Sequence, residues 1–369
     1  MLLFCESKLT IFILNAIMRL IFIPHILKFK RPFSIAHGTR GSTPVVFTKI
    51  EHDEWMGYGE ACMPPYLGEN HETVLKFLSQ AEKILRKFSA PIETATILSE
   101  VDKIENGNTS AKASIDIALH DLLGKIKNKP CYEIFGADKK KNLFTAYTIP
   151  MDEPEGVQKR IEEAKEYKIL KVKLGSSNDK KLVEEIRKHT DKEIFADVNE
   201  GWKDKHFALE MIHWLSEKNV LLVEQPMPKE KTDDIAWLTS QSPVPIIADE
   251  AVQRFSDLGK IKGAYSGINI KLMKCTGLHE AQKMILQARK YGMKIMLGCM
   301  SESSCAVSAA SQLAPLADWI DLDGPLLIKE DYFDGVNFSE GKIILNDKPG
   351  IGVKPVSPIL EEKGWGSGN

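Results

Sequence analysis

Residues 221–250, LLVEQPMPKEKTDDIAWLTSQSPVPIIADE, contain two short apolar runs that both end in acidic residues. The first run ends at Glu224, and the second ends at Asp249 and Glu250. Glu224 and Asp249 lie 25 residues apart by subtraction of their positions, which is roughly the length of one strand followed by one helix. The stretch therefore predicts a repeated strand–helix unit whose strands end in charged side chains.

The same pattern continues on both sides of this stretch. Charged residues end the runs ILKVKL, IFADVN and INIK, namely Lys171 and Lys173, Asp197, and Lys271. A single acid or lysine after a strand is usually a helix cap or a solvated loop residue. Five successive strands with this ending instead predict a shared site, because the carboxyl ends of parallel strands in a closed barrel converge on one rim, where barrel active sites are built.

Eight apolar runs between residues 144 and 323 match the number of strands in a (β/α)8-type barrel. They cover 144–149, 169–174, 194–198, 221–225, 245–249, 266–271, 294–298 and 318–323. Strand-like runs and two helical periodicities precede them and predict an α+β module. We therefore predict an α+β domain over 18–140, a barrel over 141–323, and a C-terminal segment over 324–369 that returns to the first domain.

The start of the chain is apolar between Leu9 and Ile23 but is interrupted by Asn15 and Arg19. No convincing small-residue cleavage site follows, which argues against an export signal. We expect Met18 to be the working start and residues 1–17 to be a disordered or mis-started extension.

Composition is that of a soluble cytoplasmic enzyme. With 49 Lys+Arg against 51 Asp+Glu, the net charge of −2 gives no electrostatic case for nucleic acid or an anionic membrane as partner. The six cysteines are scattered without a C-x-x-C pair, which favours a reducing compartment.

The rim residues suit proton abstraction beside a hard cation. Asp197, Glu224 and Asp249 offer three oxygen ligands, a set that favours Mg²⁺ over softer metals. Lys173 on the second strand and Lys271 on the sixth would face each other across the barrel as two bases. We expect Glu250 to orient a lysine rather than to bind the metal.

The order K-x-K, D-x-N, E-Q-P, D-E and N-I-K-L-M-K resembles the muconate-lactonizing subgroup of the enolase superfamily, from about Met18 to the C-terminus. Ala111–Lys125 is similar to a capping-domain helix of that superfamily. The resemblance implies an α+β capping domain over a modified TIM barrel, (β/α)7β. It also implies Mg²⁺ on Asp197, Glu224 and Asp249, acid/base lysines at Lys173 and Lys271, and a homo-oligomer.

The eighth strand, WIDLDGPL, places Asp321 and Asp323 on one face. This D-x-D pair is similar to that of dipeptide epimerases, where it holds the free ammonium of the substrate. The same resemblance implies substrate contacts by four further residues: Thr148, Lys171, Cys299 and Ser301.

Two lid segments bear on the second residue of the substrate. Where alanyl-glutamate epimerases are expected to carry an arginine, direct register places Gly38, with His37 and Arg40 close by. Arg40 is our candidate for the missing arginine, and Tyr66 comes from the other lid segment.

The resemblance implies Mg²⁺-dependent epimerisation of an L-Xaa-L/D-Xaa dipeptide through an enediolate by 1,1-proton transfer, on peptides released from the cell wall, with L-Ala-D-Glu as the expected substrate. The rivals are an N-acylamino acid racemase, an o-succinylbenzoate synthase, a muconate cycloisomerase and a non-catalytic binding barrel. None of the rival substrates carries a free ammonium, so none needs Asp321 and Asp323 together.

Overall fold

The computed structural model describes residues 17–35, 38–141, 144–149 and 154–360. The predicted extension at 1–17 therefore lies outside the described residues except for Ile17. The first sheet among the described residues is three-stranded and antiparallel, in the order β1-β2-β3. Its strands are β1 (Arg19–Ile35), β2 (Gly38–His52) and β3 (Trp55–Cys62).

Three helices cover this sheet: α1 (His71–Leu85), α2 (Thr94–Asp102) and α3 (Thr109–Ile126). Helix α3 packs on β3 at two glycines, because a Cβ added at Gly57 or Gly59 would lie 2.0 Å from the carbonyl oxygen of Ala118 or Ser114. Any side chain at these positions would push the helix off the sheet. We call β1–β3 and α1–α3 the cap.

Eight parallel strands form the second sheet in the order β11-β10-β9-β8-β7-β6-β5-β4. A parallel bridge from Thr145 to Ile320 joins its two ends and closes the barrel. The strands are β4 (Ala146–Ile149), β5 (Ile169–Lys173), β6 (Glu193–Asp197), β7 (Val220–Glu224), β8 (Ile246–Ala248), β9 (Gly267–Lys271), β10 (Lys294–Gly298) and β11 (Trp319–Asp321). The predicted barrel with an α+β cap is confirmed.

Helices connect the strands and cover the outside of the barrel. They are α4 (Cys131–Ile134), α5 (Pro154–Glu163), α6 (Asp179–His189), α7 (Lys205–Ser216), α8 (Thr232–Gln241), α9 (Leu258–Ile261), α10 (Leu278–Lys290), α11 (Ser304–Ser311) and α12 (Gly324–Leu327). Among the residues described above, no helix is both long and apolar enough to cross a membrane.

Up to residue 360, the C-terminal segment holds four short strands: β12 (Phe333–Asp334), β13 (Asn337–Ser339), β14 (Lys342–Ile344) and β15 (Lys354–Pro355). Its contacts with the cap include one on β1 and one on α3. Ile328 forms a bridge with Phe29 on β1, and Ile351 N donates to the buried carboxylate of Asp121 on α3 over 2.9 Å.

The barrel interior is apolar at one level and charged above it. Ala146, Ile169, Phe195, Leu222, Ile247 and Met296 form a separate buried cluster inside the strands. Because side chains alternate along a strand, the inward positions after these residues fall near the carboxyl ends. The fold therefore closes one end of the barrel with hydrocarbon and leaves the other end for polar side chains.

Candidate active site

Strand alternation places the predicted charged residues inside the barrel rim. On β5, Ile169 belongs to the interior apolar cluster, and Lys171 and Lys173 follow at two-residue steps on the same face. Phe195 precedes Asp197 in the same way on β6, and Leu222 precedes Glu224 on β7. The same period that builds the apolar layer thus sets the positions of the charged layer.

Three carboxylates stand at the ends of neighbouring strands. Asp197 pairs in register with Glu224 on the adjacent strand, and Asp249 follows directly after β8. All three are buried, with exposures of 0%, 0% and 3%. Buried carboxylates require compensating positive charge, and the surrounding lysines supply it.

Lys171 lies at the centre of this charge cluster. Its Nζ is 3.0 Å from Asp197 Oδ2, 2.8 Å from Glu224 Oε2 and 2.7 Å from Asp321 Oδ2. Burial opposes the charged form of Lys171, but the three carboxylates raise its pKa well above the usual lysine value. Lys171 is therefore a fixed positive charge at neutral pH.

The two candidate bases each contact a different carboxylate. Lys173 Nζ lies 2.6 Å from Asp197 Oδ2, and Lys271 Nζ lies 2.8 Å from Asp249 Oδ2. Their strands, β5 and β9, are the second and sixth of eight, so they stand on opposite sides of the closed barrel. The two ammonium groups approach the carboxylate cluster from opposite directions.

The carboxylates respond unequally to these lysines. Burial favours the neutral acid, yet Lys171 and Lys173 lower the pKa of Asp197 to about 2. Lys271 and Lys274 likewise overcome burial and lower the pKa of Asp249. Burial and the charge of Asp197 raise the pKa of Glu224, which makes it the carboxylate that most lacks positive charge.

The oxygen donors fit a hard divalent cation. Glu224 Oε2 accepts no hydrogen bond from the described residues, although Lys171 Nζ lies close to it. Within the described ranges, no three acidic, histidine or cysteine side chains form a preformed metal cage, because lysine ammonium groups stand between the carboxylates. A cation that binds Asp197, Glu224 and Asp249 must therefore compete with Lys171.

Asp321 and Asp323 lie at the end of the eighth barrel strand. Asp321 contacts Lys171, and Asp323 Oδ2 accepts a hydrogen bond from Thr148 N over 2.7 Å. Burial and the nearby charge of Asp321 raise the pKa of Asp323 to about 7. The pair thus carries more negative charge than its surroundings neutralise, and it would gain from a bound cation.

One cavity of about 180 Å³ brings together most of the residues that the sequence predicted, and we call it the site cavity. It is lined by Arg40, Tyr66, Thr148, Lys171, Lys173, Asp249, Glu250, Lys271, Cys299, Ser301, Asp321 and Asp323, among others. Asp197 and Glu224 do not line it but are in contact with Lys171, which does. His37 lies outside the described residues.

The cavity wall differs from the prediction at Glu250. Its Oε1 accepts a hydrogen bond from Asn199 Nδ2 over 3.1 Å, where we expected a lysine. Burial and the charges of Asp249 and Asp197 raise the pKa of Glu250 to about 8. A largely neutral Glu250 hydrogen-bonds an amide more readily than it pairs with an ammonium.

Three supporting residues were not predicted from the sequence. Lys274 Nζ holds Asp249 through Oδ1 at 2.5 Å and through its carbonyl oxygen at 2.7 Å. Asn269 Nδ2 donates to Glu224 Oε1 over 2.7 Å, and Asn199 holds Glu250 as described above. The motifs N-I-K-L-M-K and D-x-N contain all three, so the signal was present, but it did not distinguish them from surface residues.

Comparison with known sequences places this arrangement in a family. Residues 18–136 match the mandelate racemase/muconate lactonizing enzyme N-terminal domain, and residues 155–358 match the family described as enolase C-terminal domain-like. The chain belongs to the enolase superfamily. Within it, this protein is similar to an L-Ala-D/L-Glu epimerase from Bacteroides thetaiotaomicron, with 52% identity over 92% of this chain and 88% of the relative.

Two solved structures of the superfamily are similar along nearly the whole chain. A substrate-liganded L-Ala-D/L-Glu epimerase from Bacillus subtilis is 28% identical, with a TM-score of 0.87 over 92% of this chain and 99% of that one. A dipeptide epimerase from Enterococcus faecalis, complexed with Mg and the dipeptide L-Leu-L-Tyr, is 31% identical, with a TM-score of 0.86 over 92% of this chain and 99% of that one. The likeness extends to the cap as well as to the barrel.

Proposed function

We propose that this enolase-superfamily protein is an isomerase that epimerises dipeptides by moving the α-proton of the second residue. The observation that carries the proposal is the site cavity itself. It is lined by two lysines on opposite barrel strands, by Asp249 and by a separate acidic pair at the end of β11, while Asp197 and Glu224 lie behind it in contact with Lys171. The similarity to dipeptide epimerases supports the same reading.

We assign Asp197, Glu224 and Asp249 to hold Mg²⁺, as expected from their hard oxygen atoms. Mg²⁺ bound there supplies positive charge for the substrate carboxylate and offsets the carboxylate charge that keeps Lys271 protonated. Lys274 and Asn269 hold two of these carboxylates in place. Lys171 keeps its own charge near the same substrate group, where it favours the negative charge that develops as the α-proton leaves.

Lys173 and Lys271 are assigned as the two acid/base groups. One removes the α-proton from one face of the substrate, and the other returns a proton to the opposite face. Their contacts with different carboxylates, 2.6 Å for Lys173 and 2.8 Å for Lys271, support this division because each lysine is anchored on its own side. Proton transfer between opposite faces inverts the α-carbon.

The pair Asp321 and Asp323, which we call the ammonium clamp, is assigned to the free N-terminus of the dipeptide. Burial and the neighbouring charge of Asp321 raise the pKa of Asp323 to about 7. An incoming ammonium supplies the missing charge and forms charge-assisted hydrogen bonds. Thr148, Cys299 and Ser301 complete the proposed contacts with the peptide.

We propose that Arg40 meets the side-chain carboxylate of the second substrate residue. Arg40 lines the site cavity together with Tyr66 and Lys271, so this residue borders the same space as a candidate base. A carboxylate side chain is the natural partner for a guanidinium. The expected substrate class is therefore L-Xaa-L/D-Glu, of which L-Ala-D/L-Glu from cell-wall peptides is an example.

We further propose that the enzyme acts on these peptides in the cytoplasm, as a homo-oligomer and without nucleic-acid or membrane partners. The near-balanced charge of the chain supports the absence of a polyanionic partner.

The proposal is tested by proton exchange in D₂O. The purified protein with Mg²⁺ is incubated with L-Ala-L-Glu, L-Ala-L-Val or N-acetyl-L-Glu, and ¹H NMR follows the α-proton of the second residue. We expect loss of that signal and formation of the L,D-epimer for L-Ala-L-Glu, and no reaction after EDTA treatment. A preference for N-acetyl-L-Glu would instead identify an acylamino acid racemase, and no exchange with any substrate would support a binding protein.

A further inference from the structure

The loop between β10 and α11, residues 299–303, forms one wall of the site cavity. Cys299 and Ser301 line the cavity, as does Met300 between them. The loop is only five residues long, because β10 ends at Gly298 and α11 begins at Ser304. Its position decides where two of the proposed substrate contacts stand.

A buried carboxylate of the cap holds the end of this loop. Glu60 on β3 has no exposed surface, and it accepts hydrogen bonds from Ser303 N over 3.1 Å, from Ser303 Oγ over 2.5 Å and from Ala306 N over 3.3 Å. Ser303 is the N-cap residue of α11 and Ala306 lies in its first turn, where backbone N–H groups have no partner within the helix. The Glu60 side chain therefore satisfies N–H groups at the start of the barrel helix α11.

Two more residues near Glu60 contact the same loop. Cys62 Sγ donates to Ser301 O over 3.7 Å, and Tyr66 Oη donates to Met300 Sδ over 3.2 Å. These are weaker contacts, but they come from the same strand of the cap and the segment that follows it. The cap and the segment that follows β3 thus contact the loop at Met300, Ser301 and Ser303.

The other side of the loop packs against the ammonium clamp. Cys299 N donates to Asp321 O over 3.1 Å, and Gly324 approaches the loop so closely that an added Cβ would lie 2.9 Å from Glu302 N. A shift of the loop away from the cap would therefore alter the contacts that hold Asp321 and the residue after Asp323.

We propose that Glu60 is a positioning residue for dipeptide binding, which holds loop 299–303 between the cap and the ammonium clamp. The inference rests on the proposed function of that clamp. Glu60 does not line the site cavity and acts through Ser303 and Ala306. Burial raises the pKa of Glu60 to about 7, although its hydrogen bonds with Ser303 and Ala306 lower it in part. Burying such a group costs free energy, so packing alone does not explain a carboxylate at this position.

Glu60→Gln tests this role because it preserves shape while converting one acceptor oxygen into a donor. At least one of the three donors then loses its partner, which has a free-energy cost for a buried group. If part of that cost appears in substrate binding, the KM for L-Ala-L-Glu rises by roughly tenfold, with kcat changed less. In an Asp323→Asn background the same substitution should raise KM by less than threefold, because the clamp it supports is already impaired.

Asp116→Asn is the matched control. Asp116 is a buried cap carboxylate that accepts from Leu278 N over 2.6 Å and from His279 N over 3.1 Å, so it caps the barrel helix α10 across the same domain boundary but does not contact loop 299–303. We expect it to lower the melting temperature as Glu60→Gln does while leaving the KM for L-Ala-L-Glu within twofold of wild type.

These measurements distinguish a wrong role for Glu60 from a wrong function for the protein. If wild type epimerises L-Ala-L-Glu but Glu60→Gln has an unchanged KM, or if Asp116→Asn raises KM equally, the positioning role of Glu60 is wrong. A wild-type protein that reacts with no free dipeptide overturns the proposed function, and this role with it. Should Glu60→Gln fail to fold, Ser303→Ala removes the hydroxyl contact with Glu60, together with the hydrogen bond that this hydroxyl accepts from Cys305 N over 3.2 Å, and an unchanged KM in that variant also contradicts the role.

Discussion

Replacing Asp323 by asparagine removes one negative charge from the ammonium clamp and keeps its shape. In the structure Asp323 is buried, and its Oδ2 accepts from Thr148 N. The amide oxygen of asparagine can accept the same hydrogen bond, so the end of β11 stays connected to β4. The variant therefore tests charge rather than packing.

The expected loss follows from the type of interaction. A hydrogen bond to a charged group contributes about 1.5 to 3 kcal/mol, which corresponds to roughly ten- to a hundredfold in kcat/KM. This loss should appear for L-Ala-L-Glu and not for N-acetyl-L-Glu, because the acetylated compound has no ammonium. The proposed binding of the second residue at Arg40 and of the carboxylate near Lys171 is common to both compounds.

The structure also predicts the direction in which kcat/KM for L-Ala-L-Glu changes with pH. Burial and Asp321 raise the pKa of Asp323 to about 7, so below that pH the free enzyme holds Asp323 neutral and the clamp has lost part of its charge. In wild type, kcat/KM for L-Ala-L-Glu should therefore fall about tenfold per pH unit below 7. It should fall again above about pH 8, where the peptide amine loses its proton.

Steady-state kinetics of both substrates between pH 5 and 9 measure these effects. In Asp323→Asn the acidic fall for L-Ala-L-Glu should be lost relative to wild type. Asp318→Asn is a control, because Asp318 hydrogen-bonds Ile295 N and Arg289 at the opposite end of the strand. Equal losses for the free and acetylated substrates would refute the clamp, as would an acidic fall that persists unchanged in Asp323→Asn.

Four further predictions concern other parts of the molecule. Glu224→Gln should weaken Mg²⁺ binding measured by calorimetry and abolish turnover without lowering the melting temperature in EDTA; full activity in EDTA-treated wild type would contradict the metal role. Lys271→Ala should lose epimerisation but still exchange the α-proton of one epimer in D₂O, and the two-base assignment fails if this variant and Lys173→Ala both epimerise normally. Arg40→Met should raise the KM for L-Ala-L-Glu by roughly tenfold and leave that for L-Ala-L-Met unchanged, whereas equal effects on both would remove Arg40 from the specificity site. The pKa of Glu60 rises from 4.5 in the unfolded chain to about 7 in the fold, so its protonation stabilises the fold fully below pH 4.5, and this stabilisation is lost as the pH rises through 7. The free energy of unfolding of wild type, measured with urea, should therefore fall by about 3 kcal/mol relative to that of Glu60→Gln between pH 4.5 and pH 7. Parallel pH curves for the two proteins would contradict this prediction.

Much of the fold and the rim of the site was predictable from local sequence. Residues 169–173 illustrate why: the two-residue period of a strand puts Ile169, Lys171 and Lys173 on one face, whatever the rest of the chain does. Eight runs of this kind are all buried when their strands form a closed barrel, and their charged ends then meet at one rim.

The partners of those charges depend on tertiary structure. Lys171 Nζ lies 2.8 Å from Glu224 Oε2 and 2.7 Å from Asp321 Oδ2. The sequence predicts the order of the strands that carry these residues, but not these distances. Glu250 bonds Asn199 instead of a lysine, because burial favours its neutral form, and burial is a property of the packed barrel.

Glu60 is the clearest case of a residue whose role the sequence does not contain. It lies 243 residues from Ser303 along the chain, and in the sequence it is one acid after a glycine. Only the docking of the cap on the barrel brings its carboxylate to the unpaired N–H groups of α11. The sequence determined which side chains face inward on each strand, since that follows from local backbone geometry, whereas hydrogen bonds between distant segments were decided by how the two domains pack.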